Sequence, residues 1–305
     1  MQTKSPSQKN YVLAIALLFA LATLWSLSYT LVKVSIETIP PVTVTAFRTF
    51  FAGLLLLLIV WLKGLAMPRD RAMQRKLVLQ SILNSVIPYT CIAWAQTQVD
   101  VNIAVILSST SPIFAFFLTW AITRHEAATA RKLFGVIAGL TGICLIVGVG
   151  ALAGIGKDLL AQFALLAAAL SYACAAIFGR SFDGLDPLVP AAATLLLGSV
   201  VLVPASFILD SPWTLTPSAV SFAALVALTL FSTALAYVLY FWLLNALGSI
   251  GVTSQSYLRI PMGVMFGVIF FGETLLLTTW IGLACVLVGV VAMTLPNRAP
   301  KTPTV

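Results

Sequence analysis

Two arginines, Arg48 and Arg259, stand inside apolar runs of helix length. A guanidinium stays charged and offers five N–H donors. Inside a membrane it must therefore find water, carbonyls, a carboxylate or an anionic ligand. Arg259 is the tenth residue of its run, roughly 14 Å along a helix axis, and no acid stands within one turn of it. Gln255 lies four residues before it. Other runs carry flat or polar side chains at helical spacing: Trp25 with Tyr29, Thr233 with Tyr237 and Tyr240, and Gln80 with Asn84 and Cys91. Such faces could stack on a planar or amphipathic solute and hydrogen-bond to it, while a guanidinium grips an anionic group such as a carboxylate. Trp25, Tyr29, Asn84, Trp94, Tyr172, Tyr237, Tyr240, Gln255 and Arg259 form the candidate binding set.

Each of these residues also has a plainer reading. A ring can belong to an interfacial belt, which suits Trp61 and Trp280 better than Trp25 or Tyr237. Asn84 can bond helix to helix, worth about 0.6–2 kcal/mol. Arg259 can be held by carbonyls or an acid and pin a kink at Pro261; Arg48, shallower in its run, reads as a snorkelling or gating residue. Catalysis has little support. The lone histidine, His125, sits at a helix end, and the four cysteines lack metal-ligand spacing. No glycine-rich phosphate loop, HExxH or GxSxG is present, and no metal or cofactor is called for.

The elements that position these residues follow from composition. Of 305 residues, 60% are hydrophobic and 9% charged, with a mean hydropathy of +1.06. A soluble surface needs far more charge, about 25% of residues. The pattern predicts an all-α integral membrane protein of ten transmembrane helices: Val12–Val34, Val42–Leu62, Leu77–Ala95, Val101–Ile122, Leu133–Gly150, Leu159–Gly179, Pro187–Leu209, Ser218–Leu244, Ile250–Phe271 and Thr278–Leu295. With both termini cytoplasmic, thirteen Lys and Arg fall in inside segments and two, Lys33 and Lys157, outside. The net charge of +8 then belongs to loops facing a cytoplasmic leaflet, and no nucleic-acid partner is expected.

The chain also repeats itself. SPIFAFFLTWAITRHE, ending at Glu126, is echoed by IPMGVMFGVIFFGE, ending at Glu273, 147 residues on. Gly135 and Gly282, Gly142 and Gly289, and Trp25 and Tyr172 share that offset; Pro112 and Pro261 differ by 149. Five spans per copy is an odd number, so the second copy enters the membrane from the opposite side. Two inverted repeats, 11–150 and 158–295, follow. Pro112 and Pro261 read as hinges, and Glu126 and Glu273 as helix ends or gate partners. All nine acids lie near span ends or in links, which favours a facilitator over a carrier with a midplane carboxylate.

The order of these marks resembles the EamA-type branch of the drug/metabolite transporter superfamily. They are W-S-x-S-Y from Trp25, Pro41 with Arg48, S-P before the fourth apolar run with Glu126 after it, the second P…GE ending at Glu273, and the glycines that follow each glutamate. The resemblance covers Tyr11 to about Leu295. The chain departs from the usual pattern at Ser26, where glycine commonly follows the tryptophan, and at Arg259, just before Ile-Pro. The resemblance implies a multi-pass carrier of the cell inner membrane, a monomer or homodimer. It would export small metabolites such as amino acids or amphipathic drug-like solutes by alternating access. An importer or nucleotide-sugar-like antiporter is the alternative, and a non-transporting receptor or scaffold a further one.

Overall fold

The structure, a computed structural model, describes residues 8–99, 101–123, 129–151, 158–262 and 277–295. Every regular element among them is helical. α1 (Gln8–Ser35) and α2 (Pro41–Leu62) are long, and Pro41 occupies the first turn of α2, where its missing N–H costs nothing. α3 (Arg71–Ser81) runs through a π turn, Ile82–Val86, into α4 (Ile87–Ala95). α5 (Val101–Ser108), α6 (Ser111–Leu118) and α7 (Ala130–Ala151) complete the first half. In the second half come α8 (Leu159–Gly179), α9 (Leu188–Leu209), α10 (Ala219–Thr229), α11 (Ala236–Thr253) and α12 (Leu277–Thr294). A π turn at Leu230–Leu235 joins α10 to α11.

Eight stretches among the described residues are long and apolar enough to cross a bilayer. The sequence predicted ten runs. The eight leave out α7, whose 22 residues coincide with the fifth predicted run. They also count Ala219–Thr253 as one stretch of 35 residues, about 52 Å if straight, against a hydrocarbon core of roughly 30 Å. That stretch is not straight. Gly248 has φ 76° and ψ 177°, a conformation open mainly to glycine, and it breaks α11 between the predicted eighth and ninth runs. Glu126 and Glu273 lie outside the described residues.

Large apolar side chains such as Leu160, Ile208 and Trp280 face outward, while Arg48, Asn84, Gln96 and Arg259 are buried. Lipid is the solvent that fits this distribution. The broadest packing contacts pair α2 with α9 and α7 with α12. In each pair the partners begin 147 residues apart. A Cβ added to Gly135 would meet the Gly289 carbonyl oxygen at 2.7 Å, and one added to Gly142 would meet that of Gly282 at 2.6 Å. The backbones therefore touch where only glycine fits. The lower-numbered glycine of α7 meets the higher-numbered one of α12, so the helices run in opposite directions. Because Gly135 corresponds to Gly282 and Gly142 to Gly289, the two contacts exchange under the repeat, as in a two-fold interface.

The π turn before α4 shapes the site. Pro88 lacks an N–H and its ring crowds the carbonyl four residues back, at Asn84. That carbonyl accepts instead from the Tyr237 hydroxyl at 2.6 Å, and the neighbouring Leu83 carbonyl accepts from Ser171 Oγ at 2.7 Å. Side chains of the second half thus satisfy backbone groups of the first. Tyr237→Phe should therefore lower thermal stability by about 1 kcal/mol. In a Pro88→Ala background, where residue 88 regains its N–H, the same change should cost less. Thermal unfolding of the four proteins in detergent checks the coupling; equal costs in both backgrounds would contradict it.

Candidate functional site

Arg259 follows a one-residue interruption of the helix at Ser254, in a helical stretch over 255–262. Its Nε donates to Gln255 Oε1 at 3.0 Å and its Nη1 to the Tyr29 hydroxyl at 2.8 Å. Its guanidinium carbon lies 5.3 Å from the centre of the Trp25 ring and 5.6 Å from that of Tyr29. Ser26 Oγ donates to the Arg259 carbonyl at 2.8 Å. The two positions at which the sequence departs from the resembled pattern, Ser26 and Arg259, are thus bonded to each other.

Arg48 comes to the same place from α2. It is 3% exposed, so it turns inward rather than snorkelling to an interface. Its guanidinium carbon sits 3.8 Å from the centre of the Tyr89 ring, and its Nε donates to Thr233 Oγ1 at 3.0 Å. Both arginines line a cavity with Trp25, Ser28, Tyr29, Tyr89 and Tyr172. Its volume is about 20 Å³, room for a water molecule but not for an organic solute.

No described carboxylate pairs with either arginine. A midplane arginine costs about 2.5–3.5 kcal/mol on insertion scales. Cation–π contacts return about 0.5–2 kcal/mol each, and hydrogen bonds to a charged group about 1.5–3 kcal/mol. The ring and hydroxyl neighbours therefore make burial tolerable without cancelling the charge.

The other predicted residues separate into layers. Trp25 stacks on Tyr172, its repeat equivalent, with ring centres 6.5 Å apart and planes 25° apart. Tyr240 also packs against Trp25, tilted, with ring centres 5.7 Å apart. Tyr237 lies one layer away from the cavity, 6.3 Å from Tyr89, and bonds Ser85 as well as the Asn84 carbonyl. The Asn84 side-chain nitrogen and the hydroxyls of Tyr89 and Tyr240 are buried without a hydrogen-bond partner. Trp94 is not brought to the cavity; it is 38% exposed on the outer surface of the bundle. Pro112 is buried in the first turn of α6, after the break at Ser109–Thr110, so it opens a helix and does not kink one. Pro261 is buried within 255–262. Glu126 and Glu273 are outside the described residues.

Tyr89 was the missed residue. In an unbroken α-helix the face through Gln80 and Asn84 continues to Cys91. The π turn at Ile82–Val86 is wider by one residue per turn, so the face continues instead to Tyr89 and Ala93. Pro88, just after the turn, was the available signal.

The sequence matches the EamA-like transporter family twice, over residues 12–148 and 159–295. A protein of Escherichia coli strain K12 described as an uncharacterized inner membrane transporter, YedA, is 28% identical over 280 residues, covering 91% of this chain and 89% of that one. The uncharacterized transporter YoaV of Bacillus subtilis strain 168 is 26% identical over 248 residues, covering 80% and 83%. A solved crystal structure, titled only as that of a protein, shares the fold with a TM-score of 0.74 at 16% identity, covering 92% of this chain and 97% of the other. With two matches that together span most of its length, this chain is a membrane transporter belonging to the EamA-like transporter family.

Proposed function

We propose that this transporter exports small organic metabolites bearing an anionic group. The carrying observation is the Arg259 guanidinium, buried against Trp25 and Tyr29 in a cavity with no described carboxylate. The substrate's anionic group meets Arg259, and its body stacks between Trp25 and Tyr172. Gln255 holds the guanidinium in position. Ten helices in two inverted repeats, 11–150 and 158–295, carry the site by alternating access in the inner membrane, with both termini cytoplasmic. The exchanged glycine contacts of α7 and α12, the stacked pair Trp25 and Tyr172, and π turns at matching places in both halves support this plan. The breaks at Ser109–Thr110, Gly248 and Ser254 supply places where helices can bend.

Topology is testable by itself. Cysteines replacing Glu126 and Glu273 in a cysteine-free background should react with an impermeant reagent from opposite sides of intact cells. Labelling from one side would remove the inversion.

Selectivity tests the anchor. Counterflow in proteoliposomes should compare carboxylated solutes with their neutral amides. Arg259→Lys should keep weak transport of the acids, because lysine retains the charge but loses the planar fork. Arg259→Gln should lose the acids, by about 10-fold or more, and retain the amides. Equal loss of both classes together with lower thermal stability would leave Arg259 as a structural residue.

A further inference from the structure

Arg48 and Arg259 are held differently. Arg259 commits two of its three nitrogens to the protein, Nε to Gln255 and Nη1 to Tyr29. Arg48 commits only Nε, to Thr233. Among the described residues, no protein atom accepts a hydrogen bond from either Nη of Arg48 or from Nη2 of Arg259. The end-on fork of Arg48, the edge that grips an oxyanion bidentately, is therefore whole. The Tyr89 ring lies against it. All three residues line one small cavity.

Two fixed positive charges in one low-dielectric space repel each other unless a ligand neutralises both. A singly charged solute leaves one of them unmatched. A zwitterion matches neither fully and brings an ammonium beside guanidinium groups, a like-charge contact with no described carboxylate to relieve it. We infer that the site selects a small organic solute with a doubly charged oxyanion headgroup, gripped end-on by Arg48 and met by the uncommitted Nη2 of Arg259. Arg48 is then the residue that separates dianions from monoanions. This rests on the proposed anionic cavity and narrows it.

Three ligands that share a ring test the inference: phenyl phosphate, methyl phenyl phosphate and phenylalanine. A phosphomonoester gains its second charge near pH 6, whereas the methyl diester stays singly charged. Binding to the purified protein in nanodiscs is measured by calorimetry at pH 5 and pH 7.5. Phenyl phosphate should bind about 10-fold more tightly at pH 7.5 than at pH 5, and about 10-fold more tightly than the diester at pH 7.5. The diester should be indifferent to pH, and phenylalanine should bind most weakly. Arg48→Gln should erase the preference for phenyl phosphate over the diester while both still bind. Phenyl phosphate binding that is flat with pH, or no tighter than the diester, overturns the inference on the unmodified protein, whatever Arg48→Gln does to folding. An intact preference in Arg48→Gln overturns it too. If Arg259→Gln still removes the binding of anions, the broader reading survives either result. If no anion binds at either pH, both fall.

Discussion

A guanidinium cannot shed its charge, and inside a membrane it cannot simply be solvated by water. Most of the site follows from that constraint applied twice. Arg259 is placed by Gln255 and Tyr29 and screened by Trp25; Arg48 is placed by Thr233 and covered by Tyr89. These neighbours arrive on α1, the α3–α4 helix, the α10–α11 helix and the stretch 255–262. The two charges therefore gather side chains from both halves of the chain around one small space. Ser26 extends the same logic to the backbone, because its hydroxyl satisfies the carbonyl of Arg259 itself. The order of magnitude matters. Rings and hydroxyls offset the insertion cost of each charge without neutralising it, and a charge left without a counter-ion favours a ligand of opposite sign.

The scaffold divides into tight contacts and weak joints. α7 and α12 meet through glycines whose added Cβ atoms would strike backbone, and α2 packs along α9. Such contacts do not deform smoothly. Near the cavity the chain is different. Helices stop and restart at Ser109–Thr110 and at Ser254, and π turns free carbonyls that side chains then satisfy. The broken backbone lies where it is buried in protein, the condition under which a membrane interior tolerates it. A carrier needs this combination, rigid pairs that move as units and a binding space lined by elements able to bend.

Much of this was legible in the residues. Mean hydropathy and run length gave the helical membrane class. The recurring offset gave the two halves, which the two family matches bear out. Arg259, Trp25, Tyr29 and Tyr172 were picked from charge and spacing, and the structure gathers them. Tyr89 was lost to a change of period: face arithmetic assumes 3.6 residues per turn, and one π turn moves every later residue around the axis. Trp94, also in the candidate set, is turned outward by its helix, which its residue type does not report. Arg48 was judged by depth in its run. Depth does not report which way a side chain points, and packing on Tyr89 decided that. Gly248 falls in the link between the predicted eighth and ninth runs, and its backbone makes the break there.

The central claim is that the space between Arg48 and Arg259 is an anion site shared by both halves of the chain. The most direct measurement is an experimental structure of the protein in lipid with phenyl phosphate bound. The account requires density for the phosphate within hydrogen-bond distance of both guanidinium groups, with the ring against Trp25, in a cavity wider than the 20 Å³ described here. A carboxylate of the chain itself seated between the two arginines, with the ligand bound elsewhere, would contradict it.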